Sequence, residues 1–179
     1  MFRRMIFSLA LIAAFAVPSF GQTIKIDKEK SKIDFVGKKT DGKHKGGFKD
    51  FKSEVKVDME SPDKSSINIE IATDSLWSDD EKLTAHLMSP DFFDTKKYPT
   101  IKFESTKIEV GENKATITGK MTMLDKTVEI KIPATTELNE KSLTLNADFK
   151  IDRTKWGMIY GKGKVDDEVE LKVVLIYPR

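Results

Sequence analysis

The sequence predicts an all-β domain built on an antiparallel sheet of about eight strands. Three observations carry this. Segment after segment alternates apolar and polar residues with a period of two, as a strand with one buried face does. Short turns join these segments, and no rhythm of intervening helices supplies parallel crossovers. Only Thr73 to Ser89 breaks the alternation with helical spacing, so the fold class carries one or two short helices. Alternation leaves barrel and sandwich open. Closing the sheet removes its edges, and about eight strands leave room for side chains or one small ligand.

The elements follow in order. Thr23 to Asp27 and Lys32 to Val36 alternate cleanly. Asp41-Gly42 is a turn, and Lys45-Gly46-Gly47-Phe48 gives backbone freedom where a strand bends. Phe51 to Asp58 alternates, Ser61-Pro62-Asp63-Lys64 turns, and Ile67, Ile69 and Ile71 share a face. Leu76-Trp77 followed by Ser78-Asp79-Asp80-Glu81 is a helix entry, with Leu83, His86 and Leu87 on one helical face. Ser89-Pro90-Asp91 carries a second helix-start signal. Phe92 and Phe93 follow it, and two adjacent aromatics in a short turn face different ways. One is expected in the core and the other against a neighbouring element or a cavity. Tyr98-Pro99 forces an extended entry to the strand from Thr100. From there the chain is strand and turn: Ala115 to Met123, Val128 to Ala134, Leu143 to Ile151 and Val169 to Leu175. Asp152 to Gly157 interrupts, read either as a structural turn with Arg153 on a carboxylate or as a ligand mouth containing Trp156.

His86-Leu87, the Ser89 to Asp94 run, Tyr98-Pro99-Thr100 and Phe103-Glu104-Ser105 together resemble the signature of the YceI-like family of bacterial lipid- or polyisoprenoid-binding proteins. His44 to Asp58, Gly119 to Pro133 and the Asp152-Arg153 turn with Trp156-Gly157 resemble further segments of that family. The resemblance extends from Thr23 to Pro178. It departs at Leu83-Thr84, where the family usually carries a basic and an acidic residue, and mildly at Asp125, where Gly is common. The resemblance implies an antiparallel eight-stranded lipocalin-like β-barrel enclosing an apolar cavity. It also implies a bound amphiphilic lipid, such as a polyisoprenoid, an isoprenoid quinone or a fatty-acid derivative. The implied cavity and lid would be formed by Phe35, Phe48, Ile69, Leu76, Trp77, His86, Leu87, Phe92, Phe93, Phe103, Met121, Ile130, Phe149 and Trp156. Leu76 to Phe93 is the expected lid. Small inward residues, Ala115, Gly119, Ala134 and Ala147, stand among large ones. They fit a cavity, or an interior filled by alternating sizes. A filled barrel serving as a stress-protection or protein-interaction module is therefore the alternative.

The first 21 residues are expected to be a secretory signal peptide, leaving one domain over 22–179. Arg3 and Arg4 precede an apolar run from Met5 to Val17, and Pro18-Ser19-Phe20-Gly21 offers a cleavage site before Gln22. That run is short of the ~20 residues that span a bilayer. The expected location is periplasmic or secreted. Losing Arg3 and Arg4 takes the 31 basic residues to 29, equal to the 29 acids. A neutral chain with interspersed charge argues against nucleic acid and against an electrostatic membrane anchor, while transient membrane contact stays open.

The chain has no Cys, hence no thiol nucleophile, lipoprotein anchor or disulfide framework. His44 and His86 stand apart without a metal-ligand pattern, and no phosphate loop, dinucleotide fingerprint or nucleophile elbow occurs. No cofactor, metal or catalytic residue is expected. His86 with Asp74 or Asp94 is the one pairing that an enzyme reading would use.

Overall fold

The computed structural model describes residues 22–58, 61 and 64–178. The expected leader, and Pro62-Asp63 of the expected turn, lie outside the described residues. The strands are β1 (Gln22–Lys25), β2 (Lys32–Lys39), β3 (Gly42–Phe48), β4 (Phe51–Val57), β5 (Ser66–Ala72), β6 (Leu76–Ser78), β7 (Thr100–Val110), β8 (Lys114–Met123), β9 (Lys126–Leu138), β10 (Ser142–Asp152) and β11 (Glu168–Pro178). Helix α1 (Glu81–Leu87) follows β6.

All pairings are antiparallel, in the order β1-β4-β5-β7-β8-β9-β10-β11-β2-β3-β6. The expected eight-stranded closed barrel is corrected on both counts. Among the described residues there are eleven strands, and the ladder has two ends, at β1 and β6, so the sheet is a curled half-barrel. The curl is nevertheless deep. Just past β1, the Ile26 N–H donates to Ser53 O of β4, and the Asp27 N–H to Ile176 O of β11. One short segment thus bridges strands far apart in the ladder.

Two strands escaped the expected set for local reasons. β3 reads GKHKGGF, with no large apolar alternation, and was expected only as a bend. β6 has three residues, too few for any period, and pairs with β3 through Gly46↔Ser78, Gly47↔Trp77 and Phe48↔Leu76. The strands crowd here because Gly46 has no side chain: a Cβ there would lie 2.6 Å from the Trp77 carbonyl oxygen. Gly119 on β8 plays the same part for Phe103, since a Cβ there would sit 2.6 Å from Glu104 O and against the Phe103 ring. An aromatic ring laid over a neighbouring glycine pins register and permits curvature. The extra residue between Ser105 and Lys107 opposite β8 bends β7 further.

Asp80 caps α1, its carboxylate accepting the Leu83 N–H at 2.7 Å. The second helix-start signal, Ser89-Pro90-Asp91, is corrected: it opens a run of turns. The Phe92 and Asp94 N–H groups both return to Ser89 O, and the Phe93 N–H returns to Leu87 O. Those bonds satisfy carbonyls at the end of α1, leaving the segment folded back rather than advancing as helix.

β8 shows how the core is positioned. Ala115, Ile117, Gly119, Met121 and Met123 are all buried on the inner face, while Lys114 and Lys120 are exposed. At ~3.3 Å per residue, Ala115 to Met123 spans about 26 Å along the sheet's concave side. One polar core contact is a bond between Ser53 Oγ and Tyr177 Oη at 2.7 Å, with Tyr177 wholly buried.

Candidate ligand-binding lumen

Three chambers follow one another along the concave face. The first, about 150 Å³, is walled by Ile33, Phe35, Leu83, Leu87, Phe92, Met158 and their neighbours. The second, about 60 Å³, lies at mid-length among Ile69, Phe103, Ile117, Ile130 and Phe149. The third, about 560 Å³, opens at the far end between Val57, Ile108, Val110, Leu138 and Leu143. The partitions are shared side chains. Ile33, Ile71, Ile101, Met121 and Leu171 wall both the first and second chambers. Ile67, Ile117 and Leu145 wall both the second and third. β8 touches all three in turn, through Ala115, Ile117, Met121 and Met123.

The wall of the first two chambers is almost entirely carbon. Polar groups stand at the rim of the first, and their partners are already assigned. Lys38 Nζ pairs with Glu170 at 2.6 Å. That bond holds the Glu170 carboxyl below the usual carboxylate range and the Lys38 ammonium above its usual one. His44 Nδ1 lies 2.9 Å from Asp79 Oδ1, and the Lys45 N–H donates to the other carboxylate oxygen. The Lys45 bond first, and His44 second, hold Asp79 below its ordinary range. Arg153 is 3% exposed and donates to three carbonyls: Met158 O at 2.7 Å, Asp166 O at 2.9 Å and Val165 O at 3.1 Å. Asp167 Oδ1 stands 3.6 Å from the same guanidinium. Arg153 therefore ties down the loop from Gly157 to Asp167, which forms one side of the first chamber. Among the described residues no buried side-chain N or O lacks a partner. The lumen presents carbon, with little to hydrogen-bond.

Two segments meet over the first chamber. α1 and its turn supply Leu83, Leu87, Phe92 and Phe93, and the Gly157–Asp167 loop supplies Met158 and Val165. They touch through rings: Tyr160 stacks edge-on against His86 at 4.8 Å, and lies 5.3 Å from Phe92. Phe93 meets Phe48 edge-on at 5.7 Å on the other side. Phe92 and Phe93 do point different ways, and both reach the chamber wall.

The fourteen expected residues sort as follows. Phe35, Phe48, Leu87, Phe92, Phe93 and Met121 wall the first chamber. Ile69, Phe103, Ile130 and Phe149 wall the second, together with Met121. Four do not line these chambers. Leu76 is buried in the sheet, and Trp77, its neighbour on the opposite face, lies across Gly47. His86 faces Asp91, its Nε2 2.9 Å from Oδ2, rather than Asp74 or Asp94. Trp156 is 1% exposed, donating its indole N–H to Met121 O at 3.0 Å. It supports the wall from behind. Sequence reasoning missed Leu83, Met158, Val165, Val169 and Leu171. Leu83 stands where the family usually carries charge, and here it faces carbon. Thr84 beside it is spent on Ser78 Oγ at 2.8 Å. Met158 and Val165 sit in a loop without periodicity. Val169 and Leu171 share the alternating inner face of β11, a signal that was present.

A curled antiparallel sheet wrapped round a segmented apolar lumen defines a class of β-sheet proteins with an internal chamber. Within that class the chain belongs to the YceI-like family, whose YceI-like domain model matches residues 24–177. It is 41% identical over 91 residues to a UPF0312 protein of Pseudomonas putida, a match covering 50% of this chain and 47% of that relative. The chain thus matches about half the length of these curated relatives. Its structure is similar to that of BcnA from Burkholderia cenocepacia, with a TM-score of 0.78 and 30% identity over 84% of this chain and 98% of that one. It also shares its fold with a domain from Saccharophagus degradans described as polyisoprenoid binding. There the TM-score is 0.66 at 12% identity, covering 88% of this chain and 98% of that one.

Proposed function

We propose that the protein binds a long-chain amphiphile in the lumen and carries or sequesters it outside the cytoplasm, after loss of residues 1–21. The ligand class is a polyisoprenoid, an isoprenoid quinone or a fatty-acid derivative. The observation that carries this reading is the row of three chambers, the first two almost wholly apolar, with shared apolar side chains as partitions. The polyisoprenoid-binding description of the Saccharophagus degradans domain supports the same ligand class.

The physical chemistry is consistent. An apolar cavity of ~150 Å³ stays dry and takes a benzene-sized group, so the first chamber alone suits one short segment of a chain. A long ligand needs the partitions to swing aside. Met121 is suited to that, being unbranched and able to repack. Each methylene moved out of water contributes ~0.8 kcal/mol. A bilayer offers nearly the same gain, so exchange between membrane and lumen runs close to balance, as carriage requires. The α1 turn and the Gly157–Asp167 loop are the lid elements of this proposal. A second reading, a filled interior with no resident lipid, draws on the narrow middle chamber of about 60 Å³.

Native mass spectrometry with solvent extraction, on protein purified without detergent from its own exported fraction, separates the readings. An extractable amphiphile of several hundred daltons is the expected result. Protein that carries none, and takes up neither isoprenoid quinone nor fatty acid when these are added, sinks the carrier reading.

A further inference from the structure

The two ends of the lumen differ in charge, and only one end presents apolar side chains beside a basic surface. At the first chamber, Met158 points inward at 5% exposure, while the next two residues, Ile159 and Tyr160, stand out at 66% and 45%. They are not a frayed tip. Beneath them Arg153 holds Met158 O and Val165 O, and the Thr40 N–H holds Lys164 O at 3.0 Å. Holding two large apolar groups in water on a braced loop indicates a partner surface. From Thr154 to Val165 the loop contains Lys155, Lys162 and Lys164 and no acid. Lys126 reaches the same place, its Nζ lying against Gly157. Among the described residues none of these four lysines is in an ion pair, whereas Lys25, Lys38, Lys102, Lys107, Lys150 and Lys172 along the strands are matched to acids. Of the acids that flank the loop, Asp152 accepts from Thr154, Asp166 acts on Lys38 and Asp167 faces Arg153, while Asp91 across from it faces His86. The far mouth also exposes apolar groups, Val110 at 56% and Leu138 at 57%, but Asp58, Glu112 and Glu137 surround them against Lys114.

We infer that the Lys155–Lys164 loop docks the protein on an anionic lipid bilayer, Ile159 and Tyr160 entering the headgroup boundary and Lys126, Lys155, Lys162 and Lys164 meeting lipid phosphates. This rests on the reading that the lumen holds lipid, and it names the end through which lipid passes. Apolar side chains beside clustered lysines are the two components of interfacial binding. A chain that is neutral beyond residue 21 can bind this way because attraction at an anionic surface acts within about a Debye length, ~10 Å at moderate salt. The docking loop also forms the chamber's own wall, since Met158 and Val165 belong to it. A bilayer drawing on Ile159 and Tyr160 pulls on the ring contacts of Tyr160 with His86 and Phe92, which join the loop to the α1 turn.

The test is vesicle sedimentation of the purified protein, with phosphatidylcholine vesicles against equal parts phosphatidylcholine and phosphatidylglycerol. Loading of N-phenylnaphthylamine, an apolar fluorophore, is read separately. Binding to the anionic vesicles only, weakening as salt rises, is expected. Ile159→Asp should lower it roughly tenfold or more, and Lys162→Glu with Lys164→Glu at least tenfold. None of these residues lines a chamber, so melting temperature and fluorophore loading stay as in the parent protein. Normal loading without vesicle binding, or variants that bind like the parent, overturns the docking inference and leaves the carrier reading standing. A concentration-dependent dimer abolished by Ile159→Asp, with no vesicle binding, assigns the patch to a second copy and also overturns it. Failure of every protein to load the fluorophore strikes the carrier reading instead.

Discussion

Replacing Met121 by Ala tests the idea that single side chains divide one lumen into chambers. Met121 is 8% exposed on β8 and walls both the first chamber, about 150 Å³, and the second, about 60 Å³. Truncation removes the thioether and widens the passage between the two, which Ile33, Ile71, Ile101 and Leu171 also wall. Met→Ala in a core costs ~2–5 kcal/mol, growing with the cavity left behind. Here the side chain already borders open volume on two sides, so it forgoes contacts that a fully packed methionine makes. The expected loss is therefore at the low end, ~2–3 kcal/mol. The Trp156 indole bonds the backbone carbonyl of residue 121, so that support survives the substitution. Urea unfolding of parent and variant gives the stability difference. Binding then separates the partition from mere packing. A fatty acid of eight carbons fits within one chamber and should bind both proteins alike. One of sixteen carbons must displace the partition in the parent, and should bind Met121→Ala severalfold more tightly. Saturating long-chain ligand should restore part of the lost stability through mass action. Equal changes for both acids, or a stability loss below ~0.5 kcal/mol, would refute the reasoning.

Three other outcomes follow from the packing. Gly119→Ala should destabilise by at least ~2 kcal/mol, because its Cβ meets the Glu104 carbonyl and the Phe103 ring, whereas Gly37→Ala, with open space around it, should stay within ~0.5 kcal/mol by thermal or urea unfolding. Burial pushes the Tyr177 hydroxyl up to about 12, against an opposing pull from its Ser53 bond. Its unfolded value is ~10. The neutral phenol is the form the fold favours, so its contribution is whole below about pH 10 and disappears between about pH 10 and 12, an effect of ~2–3 kcal/mol. Urea midpoints at rising pH should show this fall, and Tyr177→Phe should flatten it while losing stability at neutral pH through the stranded Ser53 hydroxyl. The two-residue turn of β8 and β9 holds Leu124 at φ 52 and Asp125 at φ 58, where side chains are strained. Asp125→Gly should raise the melting temperature, for a gain of ~0.5–1 kcal/mol.

Strands announced themselves where one face is buried and the other wet. β4 and β5 alternate without fault, and β8 does so apart from the buried Thr118, because the half-barrel imposes that asymmetry on them. β3 does not, since Gly46 on its inner face and Gly47 on its outer face let Phe35 and Trp77 approach, and a missing side chain leaves no pattern to read. The same logic limits what small residues reveal. Gly119 among large neighbours was compatible with a cavity or with interlocking packing, and the Phe103 ring against it makes it the latter. Aromatic identity misled in another way. Trp77 and Trp156 are the largest side chains near the mouth, yet one lies across the sheet's outer side and the other braces Met121 from behind. The residues that do shape the mouth, Leu83, Met158 and Val165, are ordinary in type and become visible only when the chain brings their segments together. Arg153 was expected against a carboxylate, and Asp167 stands 3.6 Å from it. Its three carbonyl partners depend on the path of the loop and have no local signature.

The distribution of polarity bears on what such a lumen can select. Every buried side-chain polar atom among the described residues is already partnered, and the charges at the rim of the first chamber are held by Glu170, Asp79 and backbone carbonyls. Along the first two chambers a ligand's chain therefore finds almost no donor or acceptor to satisfy, and a polar group there would remain unpaired at a cost of several kcal/mol, whereas Ser65, Asn113 and Thr136 line the third chamber where it opens. Discrimination inside the sheet is then by length and cross-section: how far the ligand runs along β8, and how many partitions it moves. Chemical discrimination can enter only at the rim, where a head group must compete with ion pairs that are partly exposed and individually weak. Such an arrangement favours a family of related chains over one molecule. It also makes the partition side chains, rather than any charged residue, the positions at which substitution should change which lipid is held.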